Sequence, residues 1–196
     1  MSTPQPKKAK SFFLELPGLL LGALIIAILL KTIVLQPFYI PSESMLDTLQ
    51  VNDRVIVWKL GADYQRGDIV VFQRGGADDD SATESVIRAI LQAVGIGSPG
   101  TEDLIKRVIA LGGDTIEIRD NQVFVNGAAV DEPYISDADM PDMELVTVPE
   151  GTLWVMGDHR CDGCSQDSRF IGPIPAEDVV GEAVFRIWPA DRVGGL

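Results

Sequence analysis

Histidine is almost missing from this 196-residue chain: His159 is the only one. A serine hydrolase built on imidazole therefore has a single candidate base. Cysteine is nearly as scarce. A metal centre on Cys161 and Cys164 would need two further ligands, and His159 alone does not complete the set. Positive charge is also short, with 16 Lys and Arg against 29 Asp and Glu and a net charge of −13. That balance argues against a nucleic-acid partner, which needs a basic face. There is no internal repeat and no Gly-x-Ser-x-Gly elbow of the α/β-hydrolase kind.

One long apolar run is present, over residues 16–35. A helix rises about 1.5 Å per residue, so roughly 20 residues cross a hydrocarbon core of about 30 Å. Glu15 stands at one end. Lys31 lies near the other, where a long side chain reaches the headgroups. Pro17 falls in the first turn, where its missing N–H costs little. A buried core helix would carry a polar stripe, and a signal peptide would have a shorter core and a small-x-small site after it. The exit here reads Gln36-Pro37-Phe38-Tyr39. The run is therefore expected to be an uncleaved transmembrane helix. Lys7, Lys8 and Lys10 precede it, which places residues 1–15 in the cytoplasm and 36–196 outside. Without residues 1–36 the chain keeps 12 basic and 28 acidic groups, net −16. Broad adhesion to anionic lipid is disfavoured, so the anchor is the expected attachment to the bilayer.

The outer part suits one domain. Its pattern is mostly period two, with strands expected over 54–58, 68–72, 104–111, 115–119, 123–125, 153–156 and 183–188. Asp120-Asn121 reads as a hairpin turn. The expected fold is mostly β: a single N-terminal transmembrane helix, then an all-β domain. One insertion interrupts it over 75–100, an acidic loop followed by a helix over 81–96 whose Val86, Ile87, Ile90, Leu91 and Val94 share a face. That helix either covers the β-core or touches the membrane.

Ser44 follows the apolar run closely, in Tyr39-Ile40-Pro41-Ser42-Glu43-Ser44-Met45. A serine hydroxyl is a weak nucleophile without a base. His159 is one candidate. A neutral lysine is the other, and neutrality needs burial or nearby positive charge. Beyond the N-terminal tail the lysines are Lys31, Lys59 and Lys106. Strand alternation puts Leu104, Lys106, Val108 and Ala110 on one face and Arg107 on the other. Lys106 is thus flanked by apolar side chains. It is either a buried neutral amine or a strand lysine reaching past an edge.

Four blocks in this order resemble the bacterial type I signal peptidases (leader peptidases). Residues 41–49, Pro-Ser-Glu-Ser-Met-Leu-Asp-Thr-Leu, are similar to the family's Pro-Ser-x-Ser-Met-x-Pro-Thr-Leu. Residues 67–72 look like its next strand block. Residues 106–114, Lys-Arg-Val-Ile-Ala-Leu-Gly-Gly-Asp, match its lysine block. Gly157-Asp158-His159-Arg160 with Ser165-Gln166-Asp167-Ser168-Arg169 resembles Gly-Asp-Asn-Arg followed by Ser-x-Asp-Ser-Arg. The resemblance implies a membrane-anchored endopeptidase of the plasma membrane with a Ser/Lys dyad: Ser44 as nucleophile and Lys106 as general base. It implies Ser42 as an oxyanion donor, Ser165 as the group that orients Lys106, and Arg107–Asp158 and Asp167–Arg169 as supporting ion pairs. No metal or organic cofactor is implied. The implied partners are the bilayer and secretory preproteins with small residues at −1 and −3, with the secretion machinery as a further candidate.

Three features depart from the pattern. Glu43 replaces a common glycine and is expected to face solvent. Asp47 replaces a common proline. The segment Cys161-Asp162-Gly163-Cys164 is an apparent insertion. Its cysteines form a local disulfide, stay as thiols, or serve redox or metal chemistry. Two other functions remain open at this stage: a Ser/His hydrolase using His159, and a non-catalytic anchored β-domain that binds exported chains.

Overall fold

The computed structural model describes residues 16–24, 34–61, 63–73, 103–136 and 138–196. Among the described residues the strands form two antiparallel sheets. The larger contains β1 (Leu35–Tyr39), β2 (Arg54–Trp58), β3 (Ile69–Gln73), β4 (Asp103–Leu111), β9 (Thr152–Met156), β10 (Ile174–Pro175), β11 (Val179–Trp188) and β12 (Gly194–Gly195). Its order is β1-β2-β11-β3-β4-β9-β10, with β12 beside β11. The smaller contains β5 (Thr115–Arg119), β6 (Gln122–Val125), β7 (Ala128–Ala129) and β8 (Met143–Thr147), in the order β7-β6-β5-β8.

The chain passes between the sheets at Gly112-Gly113. Gly113 has φ +87°, and a Cβ on Gly112 would lie 2.9 Å from the backbone of Glu150 and Pro149. Both positions therefore need glycine. The hairpin turn at Asp120-Asn121 has φ of 50° and 62°, the left-handed pair that suits strand twist in a two-residue loop.

Among the described residues three apolar clusters form the core. One joins the small sheet to the end of β4 and β9 through Ile109, Ala110, Ile116, Ile118, Trp154 and Met156. The second seats Met45 and Leu49 against Val55, Val57, Val71 and Ile105. The third holds Val70, Phe72, Val108 and Val155, with Leu104 packed against them. A register shift between Val108 and Ala110 where β4 meets β9 breaks the alternation of β4. Ala110 consequently leaves the cluster of Leu104 and Val108, contrary to the expectation that all four alternate residues share a face. An extra residue in one strand turns the following side chains.

The β character expected from period-two patterning is present. Residues 16–24 and Val34 are helical, and the one described residue of the run that departs from the expected helix is Leu35, which pairs with Trp58 as the first residue of β1. Leu35 belongs both to the apolar run and to this strand, which hides the boundary. Pro37 is tolerated because β1 lies at a sheet edge. Among the described residues no helix is long and apolar enough to cross a membrane. The middle of the run, 25–33, and the whole 75–100 insertion with its 81–96 helix lie outside the described residues.

Candidate active site

The segment after Ile40 folds into a tight turn. Leu46 N–H donates to the Glu43 carbonyl at 2.9 Å, and Leu49 N–H donates to the Met45 carbonyl at 2.7 Å. Met45 and Leu49 are fully buried and pin the turn to the sheet. Ser44 is thereby held at the margin of the core, 7% exposed. Ser42 Oγ is 3.4 Å from Ser44 Oγ.

Lys106 comes from the middle of β4, 62 residues later. Its Nζ donates to Ser44 Oγ at 2.8 Å and to its neighbour's carbonyl, Ile105 O, at 2.7 Å. The side chain is 2% exposed. Burial lowers its pKa from 10.5 to about 8, while Asp167 and Asp158 oppose that fall. Charge in a poorly solvated site is costly, so the neutral amine gains ground. Ser165 does not hold this amine as expected. Among the described residues its buried hydroxyl has no hydrogen-bond partner, and the Ile105 carbonyl takes the bond instead. Ser165 is nevertheless adjacent: a Cβ built on Gly157 would meet Ser165 Oγ and the Ser44 carbonyl, each at 2.3 Å.

The two expected ion pairs are both formed. Arg107 Nε donates to Asp158 Oδ1 at 2.9 Å and Nη2 to Oδ2 at 2.6 Å. Arg107 Nη1 reaches the Gly67 carbonyl at 2.8 Å, and the guanidinium lies 3.9 Å from the Tyr134 ring centroid. Asp158 also accepts from the Thr48 hydroxyl. Asp167 accepts from Arg169 Nε at 2.9 Å and from Gly157 N–H at 2.9 Å. It also caps a short helix, Ser168–Ile171. Burial would raise the Asp167 pKa, but the Arg169 guanidinium and the Gly157 amide hold it below the usual carboxylate range.

A family model described as signal peptidase, peptidase S26, matches residues 13–188. The chain belongs to that family. It is 37% identical over 180 residues to a signal peptidase I of Leptolyngbya laminosa, covering 89% of this chain and 79% of that one. It is 34% identical to a signal peptidase I of Mycobacterium tuberculosis, covering 98% and 78%. A crystal structure of a signal peptidase I from Enterococcus faecalis gives a TM-score of 0.42 at 26% identity, over 61% of this chain and 96% of that one.

The positions that depart from the block pattern have definite local settings. Asp47 has φ +80°, which a proline ring forbids. Its carboxylate accepts from the Ser136 amide at 3.2 Å and from the Ser136 hydroxyl. Glu43 is exposed, as expected. Cys161 and Cys164 are joined as a disulfide with Cα atoms 5.3 Å apart. His159 and the two sulfurs lie within 4.8 Å of one another, but sulfurs bonded to each other are not the thiolates a zinc site uses. The His159 ring does not meet the Ser44 hydroxyl. Nδ1 faces the Glu43 carbonyl at 3.1 Å, and Nε2 faces Cys161 Sγ at 3.3 Å.

Several supporting residues escaped the sequence reading. Arg160 is fully buried, pairs with Glu132 through both ends of its guanidinium, and donates Nε to the Gly157 carbonyl at 2.7 Å. Arg186 donates to the Thr48 carbonyl at 2.7 Å, with Asp53 alongside. Thr48 and Arg160 stood inside recognised blocks, so only their roles were hidden. Glu132, Asp53 and Arg186 gave no local signal. A separate cavity of about 230 Å³ lies against β4 and the β6–β7 hairpin, lined by Val108, Val125, Val130 and Tyr134, and Ser44 does not line it.

Proposed function

We propose that the protein is a membrane-anchored serine endopeptidase that removes signal peptides from secretory preproteins, cutting after small residues at −1 and −3. The observation that carries this reading is the buried Lys106 amine, hydrogen-bonded to Ser44 Oγ and with a lowered pKa. Neutral Lys106 takes the proton as Ser44 Oγ attacks the scissile carbonyl. The Ser44 amide and the Ser42 hydroxyl face the developing oxyanion. The protonated amine then returns its proton to the departing amine of the mature protein. An ester to Ser44 remains, and Lys106 activates the water that hydrolyses it. An extended substrate laid beside a strand would offer alternate side chains to shallow pockets, which suits small residues at −1 and −3. Signal-peptidase names among the relatives support this substrate class.

The experiment is cleavage of a preprotein by the full chain in detergent. Ser44→Ala is expected to abolish cutting, whereas His159→Ala keeps the rate within about tenfold of the parent, since His159 is no proton acceptor in this chemistry. Loss of all cutting in His159→Ala would favour the Ser/His reading.

The apolar run from Leu16 serves as the membrane anchor, with residues 1–15 cytoplasmic and the β-domain extracytoplasmic. Leu19, Leu20, Leu21 and Leu24 are all exposed in the helix, and lipid would cover such a surface. Protease added outside intact spheroplasts is expected to reach the β-domain and spare the N-terminal tail. Protection of the β-domain would overturn this topology.

A further inference from the structure

Glu43, His159 and the inserted Cys161–Cys164 segment, read separately in the sequence, meet at one point. His159 N–H donates to the Ser44 carbonyl at 3.1 Å, so this residue grips the backbone of Ser44 itself. Its ring then reaches one residue back. The Glu43 carbonyl can only accept, so Nδ1 carries the proton at that 3.1 Å contact. In the neutral ring Nε2 then carries the lone pair, and it lies 3.3 Å from Cys161 Sγ. A disulfide sulfur has no proton to give, so this second contact is steric. The sulfur blocks the ring from turning away from Glu43. The disulfide in turn closes a four-residue loop, with Cys164 N–H on the Cys161 carbonyl at 3.3 Å. Ser165 follows immediately.

We infer that His159, wedged by the Cys161–Cys164 disulfide, is a positioning residue for the turn that carries Ser44, and that reducing this disulfide slows cleavage. The inference rests on the reading of Ser44 as nucleophile. In the reduction a dithiol reagent supplies two electrons and two protons. The S–S bond breaks, Cys161 and Cys164 become thiols, and the reagent closes to its own disulfide. Cys161 Sγ is then free to rotate, and the ring loses its backstop. Ser44 keeps its chemistry but is held less closely to the attacking geometry. A loss of this kind falls on kcat rather than on substrate binding.

The test uses the full chain in detergent, oxidised and then treated with dithiothreitol. Reduction is expected to lower kcat by about three- to tenfold with KM unchanged, because small misplacements of a reacting group are costly. Cys161→Ser/Cys164→Ser should match the reduced enzyme. His159→Ala should lose as much and no longer respond to the reductant. His159→Asn, whose amide can still donate to the Glu43 carbonyl, should recover part of the rate. Hydrogen exchange at the His159 amide should quicken on reduction, whatever the activity. Unchanged kcat and unchanged exchange on reduction would overturn the inference. So would a reductant effect as large in His159→Ala as in the parent. If the oxidised parent cuts no preprotein, the nucleophile reading fails, and the exchange measurement still decides whether the wedge exists.

Discussion

Lys106→Ala is expected to lower kcat for preprotein cleavage by about 10²–10⁴, the usual contribution of a positioned general base. Lys106→Arg should be as inactive, because a guanidinium does not give up its proton in a protein. The parent should show a matching pH profile. Burial lowers the Lys106 pKa to about 8, against the pull of Asp167 and Asp158. Only the neutral amine accepts a proton, so kcat/KM should rise about tenfold per pH unit below that value and level off above it. A profile flat from pH 6 to 9 would sink the assignment. Stability should respond in a related way. The unfolded chain holds this proton up to pH 10.5, but the folded one releases it near 8. Between those values the unfolded state binds more protons, so stability rises with pH. Lys106→Met loses this cost. It should be more stable than the parent at pH 7, and its advantage should shrink as pH climbs from 8 towards 10.5. A destabilised but active Lys106→Met would contradict both arguments.

The residues that make this site were legible because their chemistry is local. Lys106 stood out as a lysine among apolar neighbours in a strand, and the strand was visible from its alternation. Ser44 stood out by its place after the apolar run. Their contact was not legible from period alone, since 62 residues separate them and the Ser44 turn joins β1 to β2, strands that reach β4 in the sheet only through β11 and β3. The resemblance bridged that gap. It did not show how the turn is braced. The Glu132–Arg160 pair and the Arg186–Thr48 contact join segments distant in the sequence, where any acid and any arginine look alike. Two-residue strands such as β7, β10 and β12 are too short to carry a period. β1 was lost for another reason: only Leu35 belongs to the apolar run, and Gln36 and Pro37 after it read as the exit from a helix rather than as a strand. The bulge in β4 was invisible because one extra residue changes no composition, yet it moves Ala110 to another cluster.

Asp158→Ala should have the largest effect on stability, about 3–5 kcal/mol, the cost of leaving one member of a buried pair uncompensated. Asp158 is fully buried and Arg107 nearly so. Without the carboxylate, Arg107 keeps the Gly67 carbonyl, the Thr48 hydroxyl and the Tyr134 ring, and none of these carries a negative charge. Asp158→Leu combined with Arg107→Met removes both charges and should recover much of the loss. Urea unfolding of the single and double variants measures this. Additive losses would mean the pair is not a unit. The same change reaches the site by two routes. Thr48 loses its acceptor, and Thr48 lies four residues after Ser44 in the same turn, so plateau kcat should fall. Asp158 also raises the Lys106 pKa. Its removal, with Arg107 left positive, should move the midpoint of the kcat/KM profile below pH 8. A midpoint displaced upward would show that Asp158 does not act on Lys106 through its charge.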